Sequence, residues 1–452
     1  MKKKTSRLIA LDRKYVWHPF TQMKEWTATD PLIIERAQGN YLIDTEGRRY
    51  LDGVSSLWVN VHGHRKKEID RAIKEQLGRI SHSTLLGLGN TPSIELAERL
   101  VNIAPRGLTK VFFSDNGSTA VEIALKMAFQ YWEQSGKADK KKFIAFTGAY
   151  HGDTFGSMSV GEIDIFVKKY RPLLFSAFRA PYPYCYRCPL KKNYPDCKTG
   201  CLDVFEETLK RHHEEIAACV IEPLLQGAAG MVTSPPGFLK EVRRLTRKYG
   251  VLLIADEVAT GFGRTGAMFA CDIEMVSPDF LCLAKGITGG YMPLAATLTT
   301  EKVYKAFLGR YEDYRSFFHG HTYTGNPLGC AAALANLDIF EKEKVLYALL
   351  PKIDLFKKML QGFNGLKHAG DIRQTGLVAG VELVKDRLTK EPYPAKKRVG
   401  YRACLNMRKY GVILRPLGDV IVIMPPLSIK TSELKKIMAA AYRGIKETTE
   451  GL

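Results

Sequence analysis

Long apolar runs are missing from this 452-residue chain, and so are internal repeats and low-complexity linkers. A helix needs about 20 consecutive apolar residues to cross a bilayer, so no membrane partner is expected. Acidic residues are in deficit: 47 Asp and Glu against 67 Lys and Arg leave a formal net charge of +20. Such a balance can draw nucleic acid or anionic ligands. The basic residues are scattered along helical stretches such as Lys240-Glu241-Val242-Arg243-Arg244, which fits solvated helix faces, and no nucleic-acid partner is expected. Cysteine is sparse and odd in number, nine in all. The start is basic, but Leu8-Ile9-Ala10-Leu11 is too short for a signal-peptide core. A cytoplasmic location without a disulfide scaffold follows as the expectation.

What is present suits a large globular protein. Hydrophobic content of 45% and charged content of 25% are ordinary, and the length leaves room for two or three domains. Four of the cysteines cluster as Cys185-x2-Cys188-x8-Cys197-x3-Cys201, in a stretch rich in Pro, Tyr and Lys. That spacing suits a structural zinc or an iron–sulfur cluster. A reduced surface excursion is the plainer alternative, and no acid or base partner stands nearby to give a metal chemistry.

The middle of the chain alternates apolar strand-like runs with helical stretches, which predicts an α/β fold with a mainly parallel sheet covered on both faces. The strand candidates are residues 111–113, 142–146, 218–221, 251–255 and 280–284. Ligands of such a sheet sit beyond the carboxyl ends of the strands. That directs attention to residues 114–118, Tyr150-His151-Gly152, Glu222, Asp256-Glu257 and Lys285-Gly286. After residue 330 the texture changes to a smaller α+β domain, on which N-terminal strands near 32–34 and 40–43 are expected to pack. The expected boundaries are an N-terminal segment over 1–65, a large domain over 66–330 and a small domain over 331–452.

Two strand ends carry the chemistry. Val251-Leu252-Leu253-Ile254-Ala255 runs into Asp256, a carboxylate that burial makes costly unless a cation meets it. A helix cap is the bland alternative for Asp256. Phe280-Leu281-Cys282-Leu283-Ala284 runs into Lys285, followed by glycines that let a ligand approach the backbone. A lysine in a dry site has a lowered pKa and can attack an aldehyde, although a snorkelling lysine is common too. Taken together, amine and carboxylate suit pyridoxal 5'-phosphate, whose aldehyde needs a lysine and whose ring nitrogen needs a carboxylate. Gly117-Ser118 opens an apolar-periodic helix whose first amides suit a phosphate, with a plain cap at Ser118 as the alternative. Tyr150 could stack on the pyridine ring or simply fill core.

The stretch from Leu253 through Asp256-Glu257-Val258-Ala259-Thr260-Gly261-Phe262-Gly263-Arg264-Thr265-Gly266 to Lys285-Gly286 resembles the class III (omega-amino acid) aminotransferases of pyridoxal-phosphate fold type I. The similarity covers nearly the whole chain. It implies a homodimer with active sites at the subunit interface. It also implies that Lys285 forms the Schiff base, Asp256 pairs with the pyridine nitrogen and Tyr150 stacks on the ring. Gly117 and Ser118 would hold the phosphate, and Thr322 would reach it from the partner subunit. Glu222 and Arg264 would be structural active-site charges. Three further stretches point to one branch of the family: Trp17-His18-Pro19-Phe20-Thr21-Gln22-Met23, residues 52–64, and Leu414-Arg415-Pro416-Leu417-Gly418-Asp419. In that branch the arginine matching Arg415 binds the carboxylate of a long-chain amino-keto acid, while Phe20, Trp58, Tyr150 and Gly320 complete the substrate side. A surface ion pair is the other reading of Arg415. Members that use S-adenosylmethionine typically carry Tyr in place of Phe20, a second Trp in place of Leu57 and Tyr in place of Val422, so lysine is a second candidate donor. Family members acting on acetylornithine, 4-aminobutyrate or a diamine share the same core residues.

Overall fold

The structure, a computed structural model, describes residues 2–450. The chain opens with a helix, Lys2–Tyr15, and then three strands: β1 (Ile34–Gln38), β2 (Tyr41–Asp44) and β3 (Arg49–Asp52). The large sheet follows, made of β4 (Leu108–Ser114), β5 (Lys142–Phe146), β6 (Phe178–Ala180) and β7 (Ile216–Ile221). A small hairpin, β8 (Leu225–Gln226) and β9 (Val232–Thr233), leads to β10 (Leu252–Asp256), β11 (Phe280–Leu283) and β12 (Ala295–Thr300) of the large sheet. The C-terminal part contributes β13 (Ala369–Thr375), β14 (Val378–Leu383), β15 (Val412–Ile413), β16 (Arg415–Leu417) and β17 (Val420–Ile423).

The large sheet has seven strands in the order β4-β12-β11-β10-β7-β5-β6. Only β12 runs against the others, pairing antiparallel with both β11 and β4. Every residue of β7, β10 and β11 is buried, because helices cover both faces of a parallel sheet and leave no polar side. One covering helix, Gly117–Gln134, is started by Asn116, whose side chain accepts the Thr119 amide at 3.1 Å while the Thr119 hydroxyl accepts the Asn116 amide. The cap is therefore Asn116 rather than Ser118, which leaves the Ser118 hydroxyl to other partners.

All five predicted strands of this sheet form. β12 has the sequence Ala-Ala-Thr-Leu-Thr-Thr, with no aliphatic run to mark it, and β6 is only three residues long; neither was predicted. The C-terminal part builds an antiparallel sheet, β13-β14-β17-β16. Its neighbour, β15, pairs parallel with β3, so the N-terminal strands are completed by the C-terminal half of the chain. β1 begins at Ile34, two residues later than expected, and carries mostly exposed side chains as an edge strand can. Among the described residues no helix is long and apolar enough to cross a membrane.

Candidate active site

β10 and β11 lie side by side and parallel, with Asp256 opposite Cys282. Neighbouring strands are about 4.8 Å apart, so the carboxylate ending β10 and the amine of Lys285 just beyond β11 emerge at one edge of the sheet. Both line a single cavity of about 710 Å³, together with Trp58, Gly117, Ser118, Tyr150 and Glu222. That volume is within the range of small-molecule and cofactor sites.

Asp256 is buried and is not a helix cap. Its Oδ2 accepts a hydrogen bond from His151 Nδ1 at 2.7 Å, and its Oδ1 accepts the Val258 amide at 3.1 Å. The other ring nitrogen of His151, Nε2, is buried with no hydrogen-bond partner among the described residues. The bond to Nδ1 fixes the orientation of the Asp256 carboxyl group.

Lys285 stands at φ 47°, in the left-handed region that side-chain-bearing residues avoid. Burial pulls its amine below the ordinary lysine value, against the opposing pull of Asp256 and Glu222. The ammonium lies over the Trp58 indole, 5.1 Å from the ring centre. Trp58 is held by an equally unusual backbone: residues Ser55, Ser56, Leu57 and Trp58 all have positive φ. Glu222 follows β7, is buried, and accepts the amides of Tyr150 at 3.1 Å and Gly227 at 2.9 Å. Burial raises it to about 7, with the Asp256 charge adding to the rise and His151 opposing it.

Ser118 shares a hydrogen bond with the Thr154 hydroxyl at 2.7 Å and accepts the Thr154 amide at 3.0 Å. The backbone of Gly152, at φ 123°, passes so close that a Cβ there would sit 2.3 Å from Ser118 Oγ. A Cβ on Gly117 would lie 2.5 Å from Val258 Cγ1. The two glycines let neighbouring segments pack directly against the first turn of the helix, where Gly117, Ser118 and Thr154 border the cavity with the N–H and O–H chemistry a phosphate requires. The Tyr150 hydroxyl donates to Asp153 at 2.9 Å, and burial drives the phenol well above its ordinary value.

Other predicted residues lie outside the cavity. Phe20 is mostly exposed and meets Phe166 edge-on at 5.2 Å, which in turn meets Tyr150 at 5.8 Å. Gly320 and Thr322 are exposed and do not line the cavity. Arg415 is exposed on β16 and, among the described residues, has no ion-pair partner, which removes the surface ion-pair reading. Arg264 is buried: its Nη1 donates to the carbonyls of Pro425 at 2.7 Å and Leu377 at 3.2 Å, tying the glycine-rich segment after β10 to the C-terminal half. Cys185, Cys188, Cys197 and Cys201 line one small cavity as free thiols. Among the described residues no group of three or more His, Cys, Asp or Glu is arranged to hold a metal.

Sequence reading missed two contributors. His151 sits in the Tyr150-His151-Gly152 junction, but only the fold brings it to Asp256. Asn336, in the helix Pro327–Lys342, donates to the carbonyls of Gly286 at 3.1 Å and Ile287 at 3.0 Å, directly after Lys285. No local signal marks a lone Asn in an Ala- and Leu-rich helix.

Residues 23–443 match the model of the aminotransferase class-III family. The adenosylmethionine-8-amino-7-oxononanoate aminotransferase of Geobacter sulfurreducens is 56% identical over 448 residues, covering 99% of each chain. That of Methanocaldococcus jannaschii is 50% identical over 447 residues, covering 96% of this chain and 97% of the relative. The crystal structure of the Methanocaldococcus jannaschii protein superposes with a TM-score of 0.94, covering 98% of this chain and 99% of that one. An omega transaminase from Pseudomonas jessenii, solved in complex with PMP, gives a TM-score of 0.94 at 33% identity, covering 98% of both chains.

Proposed function

This chain belongs to the class-III aminotransferases, and from that premise we propose that it aminates 8-amino-7-oxononanoate to 7,8-diaminononanoate, a step of biotin synthesis. The substrate is that printed in the names of relatives 50–57% identical to nearly the full chain. The observation that carries the chemistry is the meeting of Asp256 and Lys285 at the ends of adjacent strands in one cavity.

The family's cofactor is pyridoxal 5'-phosphate, which supplies an aldehyde for condensing with amines and a protonated ring that takes up electrons. The residues present fit it. Gly117 and Ser118 would take the phosphate, Asp256 the ring nitrogen, Tyr150 a ring face and Lys285 the aldehyde. Lys285, with its amine made less basic by burial, would serve as the base and acid that moves a proton at the substrate carbon. Asp256, held by His151, would keep the ring nitrogen protonated. Glu222 fixes the Tyr150 backbone and with it the aromatic wall. Arg415, without an ion-pair partner among the described residues, would bind the far carboxylate of the acceptor through its planar fork.

We place Thr322 and Gly320 in a neighbouring subunit's site. Both are exposed and lie outside their own chain's cavity, and large apolar side chains such as Trp17, Leu86, Leu88 and Phe318 are left uncovered on this chain. A homodimer follows. The amino donor is S-adenosylmethionine or lysine. The names of the relatives favour the first. Phe20, Leu57 and Val422 favour the second, because they lack the phenol hydroxyls and second indole of adenosylmethionine-using members. Val422 belongs to the apolar cluster that packs behind Trp58.

Half-reactions test the reading. Holoenzyme mixed with S-adenosylmethionine, lysine, ornithine or 4-aminobutyrate is followed by visible absorbance. The spectrum changes with one of the first two donors, and 8-amino-7-oxononanoate restores it. Restoration by a simple keto acid but not by 8-amino-7-oxononanoate would refute the proposed acceptor.

A further inference from the structure

The backbone at Lys285 is strained, and the segment that follows it turns tightly: the Gly289 amide bonds back to the Gly286 carbonyl at 3.0 Å. A residue held at positive φ persists only where its surroundings fix it. The surroundings here are two side chains from distant parts of the sequence. Asn336, fully buried on the helix Pro327–Lys342, spends both of its amide hydrogens on the carbonyls of Gly286 and Ile287. Its Oδ1 lies 2.8 Å from Nε2 of His62, also buried. Because both hydrogens of the Asn336 amide go to carbonyls, Oδ1 must face the imidazole, and Nε2 must carry the proton. Burial brings His62 down to about 4, so the ring is neutral and needs no counter-ion near pH 7. The clamp closes on the far side as well: the Val61 amide donates to the Gly289 carbonyl at 3.3 Å, and a Cβ on Gly290 would lie 2.9 Å from the Val59 carbonyl.

We propose that Asn336, oriented by His62, is a positioning residue for Lys285: it pins the two carbonyls that follow the lysine and so fixes the left-handed backbone that aims the amine into the cavity. This rests on the reading that Lys285 is the cofactor-linked lysine. The chain of bonds is complete, with no polar atom of Asn336 left over, and it joins three segments that meet only in the folded protein. Neither side chain lines the cavity. Their effect must pass through the Lys285 backbone, which makes the proposal separable from a role in substrate binding.

The test uses the holoenzyme and three variants. Asn336→Leu keeps the volume and removes every bond. His62→Leu leaves Asn336 in place without its orienting donor. His62→Gln keeps an N–H where Nε2 stands. The measured quantities are the rate at which added pyridoxal phosphate attaches covalently to apoenzyme, followed by absorbance, and the separate kcat and KM for the donor. Misplacing a reacting group by about an ångström costs up to roughly a hundredfold in rate, so Asn336→Leu should lose roughly ten- to a hundredfold in both attachment rate and kcat. Donor KM should stay within about threefold, as the binding walls are untouched. His62→Leu should fall between Asn336→Leu and wild type, and His62→Gln should recover most of the loss. If Asn336→Leu does not fold, His62→Leu decides: attachment and kcat at wild-type values would overturn the proposal. Wild-type protein that never attaches the cofactor covalently would instead overturn the reading of Lys285 beneath it.

Discussion

Replacing His151 with leucine isolates what holds Asp256. In the wild type, Asp256 accepts one hydrogen bond from a side chain, the His151 Nδ1–H at 2.7 Å, and one from the Val258 amide at 3.1 Å. Both side chains are almost completely buried, at 0% and 6% exposure, so water cannot take the place of the lost donor. A hydrogen bond to a charged group in such surroundings is worth about 1.5–3 kcal/mol. Leucine is close to histidine in bulk, which limits the cavity left behind. Without that donor the carboxylate is free to turn away from the ring nitrogen in the empty site, and binding the cofactor must draw it back at a cost of up to about that amount. At 1.4 kcal/mol per tenfold, cofactor affinity should fall roughly ten- to a hundredfold. The assay is titration of apoprotein with pyridoxal phosphate, followed by visible absorbance, with thermal unfolding as a control for the fold. His151→Asn, whose amide nitrogen can stand where Nδ1 stands, should regain most of the loss. A folded His151→Leu protein that binds the cofactor within about twofold of wild type would show that the imidazole contributes nothing to the site.

Glu222 gives a pH-dependent signature. Its carboxyl is raised to about 7 in the folded apoprotein and titrates near 4.5 when unfolded, so the folded state binds more protons between those values and stability falls as pH rises through that window. Apoprotein carrying Glu222→Gln should gain stability relative to wild type at pH 8 compared with pH 5, by up to about 3 kcal/mol, and equal differences at the two pH values in calorimetry would contradict this. Gly152→Ala forces a Cβ to within 2.3 Å of Ser118 Oγ at a φ of 123°. It should cost about 1–3 kcal/mol in urea unfolding and loosen retention of the cofactor on dialysis. Arg415→Ala should raise KM for 8-amino-7-oxononanoate about ten- to a hundredfold while leaving the donor half-reaction unchanged, which stopped-flow absorbance separates from steady-state kinetics. Mass measurement by light scattering should give twice the chain mass, and mixing Lys285→Ala with Thr322→Ala chains should restore sites with both residues intact if each site draws Thr322 from its neighbour.

The sheet was legible because parallel strands covered on both faces leave long apolar runs. The sequences 252–256 and 280–283 announce both the strands and the charged residues that end them. Local pattern could not reveal β12, whose alanines and threonines are buried by its place between β4 and β11 rather than by their own character. The site divided along the same line. Asp256, Lys285 and the Gly117-Ser118 turn sit at strand and helix ends, where a change of texture marks them. His151 and Asn336 act through partners 105 and 49–50 positions away, distances that no window of sequence spans. The alternative reading of Ser118, a plain helix cap, fails for a simple reason. Asn116 lies two residues earlier and, with Thr119, satisfies the first amides more completely. Thr322 and Gly320 are placed outside the cavity, and a role for them needs a second chain.

Peptide mapping after reductive trapping tests the central claim most directly. Holoenzyme is treated with borohydride, digested and analysed by mass spectrometry for the lysine that carries the pyridoxyl group. The account predicts a single modified peptide with the label on Lys285, lost when the enzyme is first saturated with an amino donor. A label on any other lysine, or none, would contradict it.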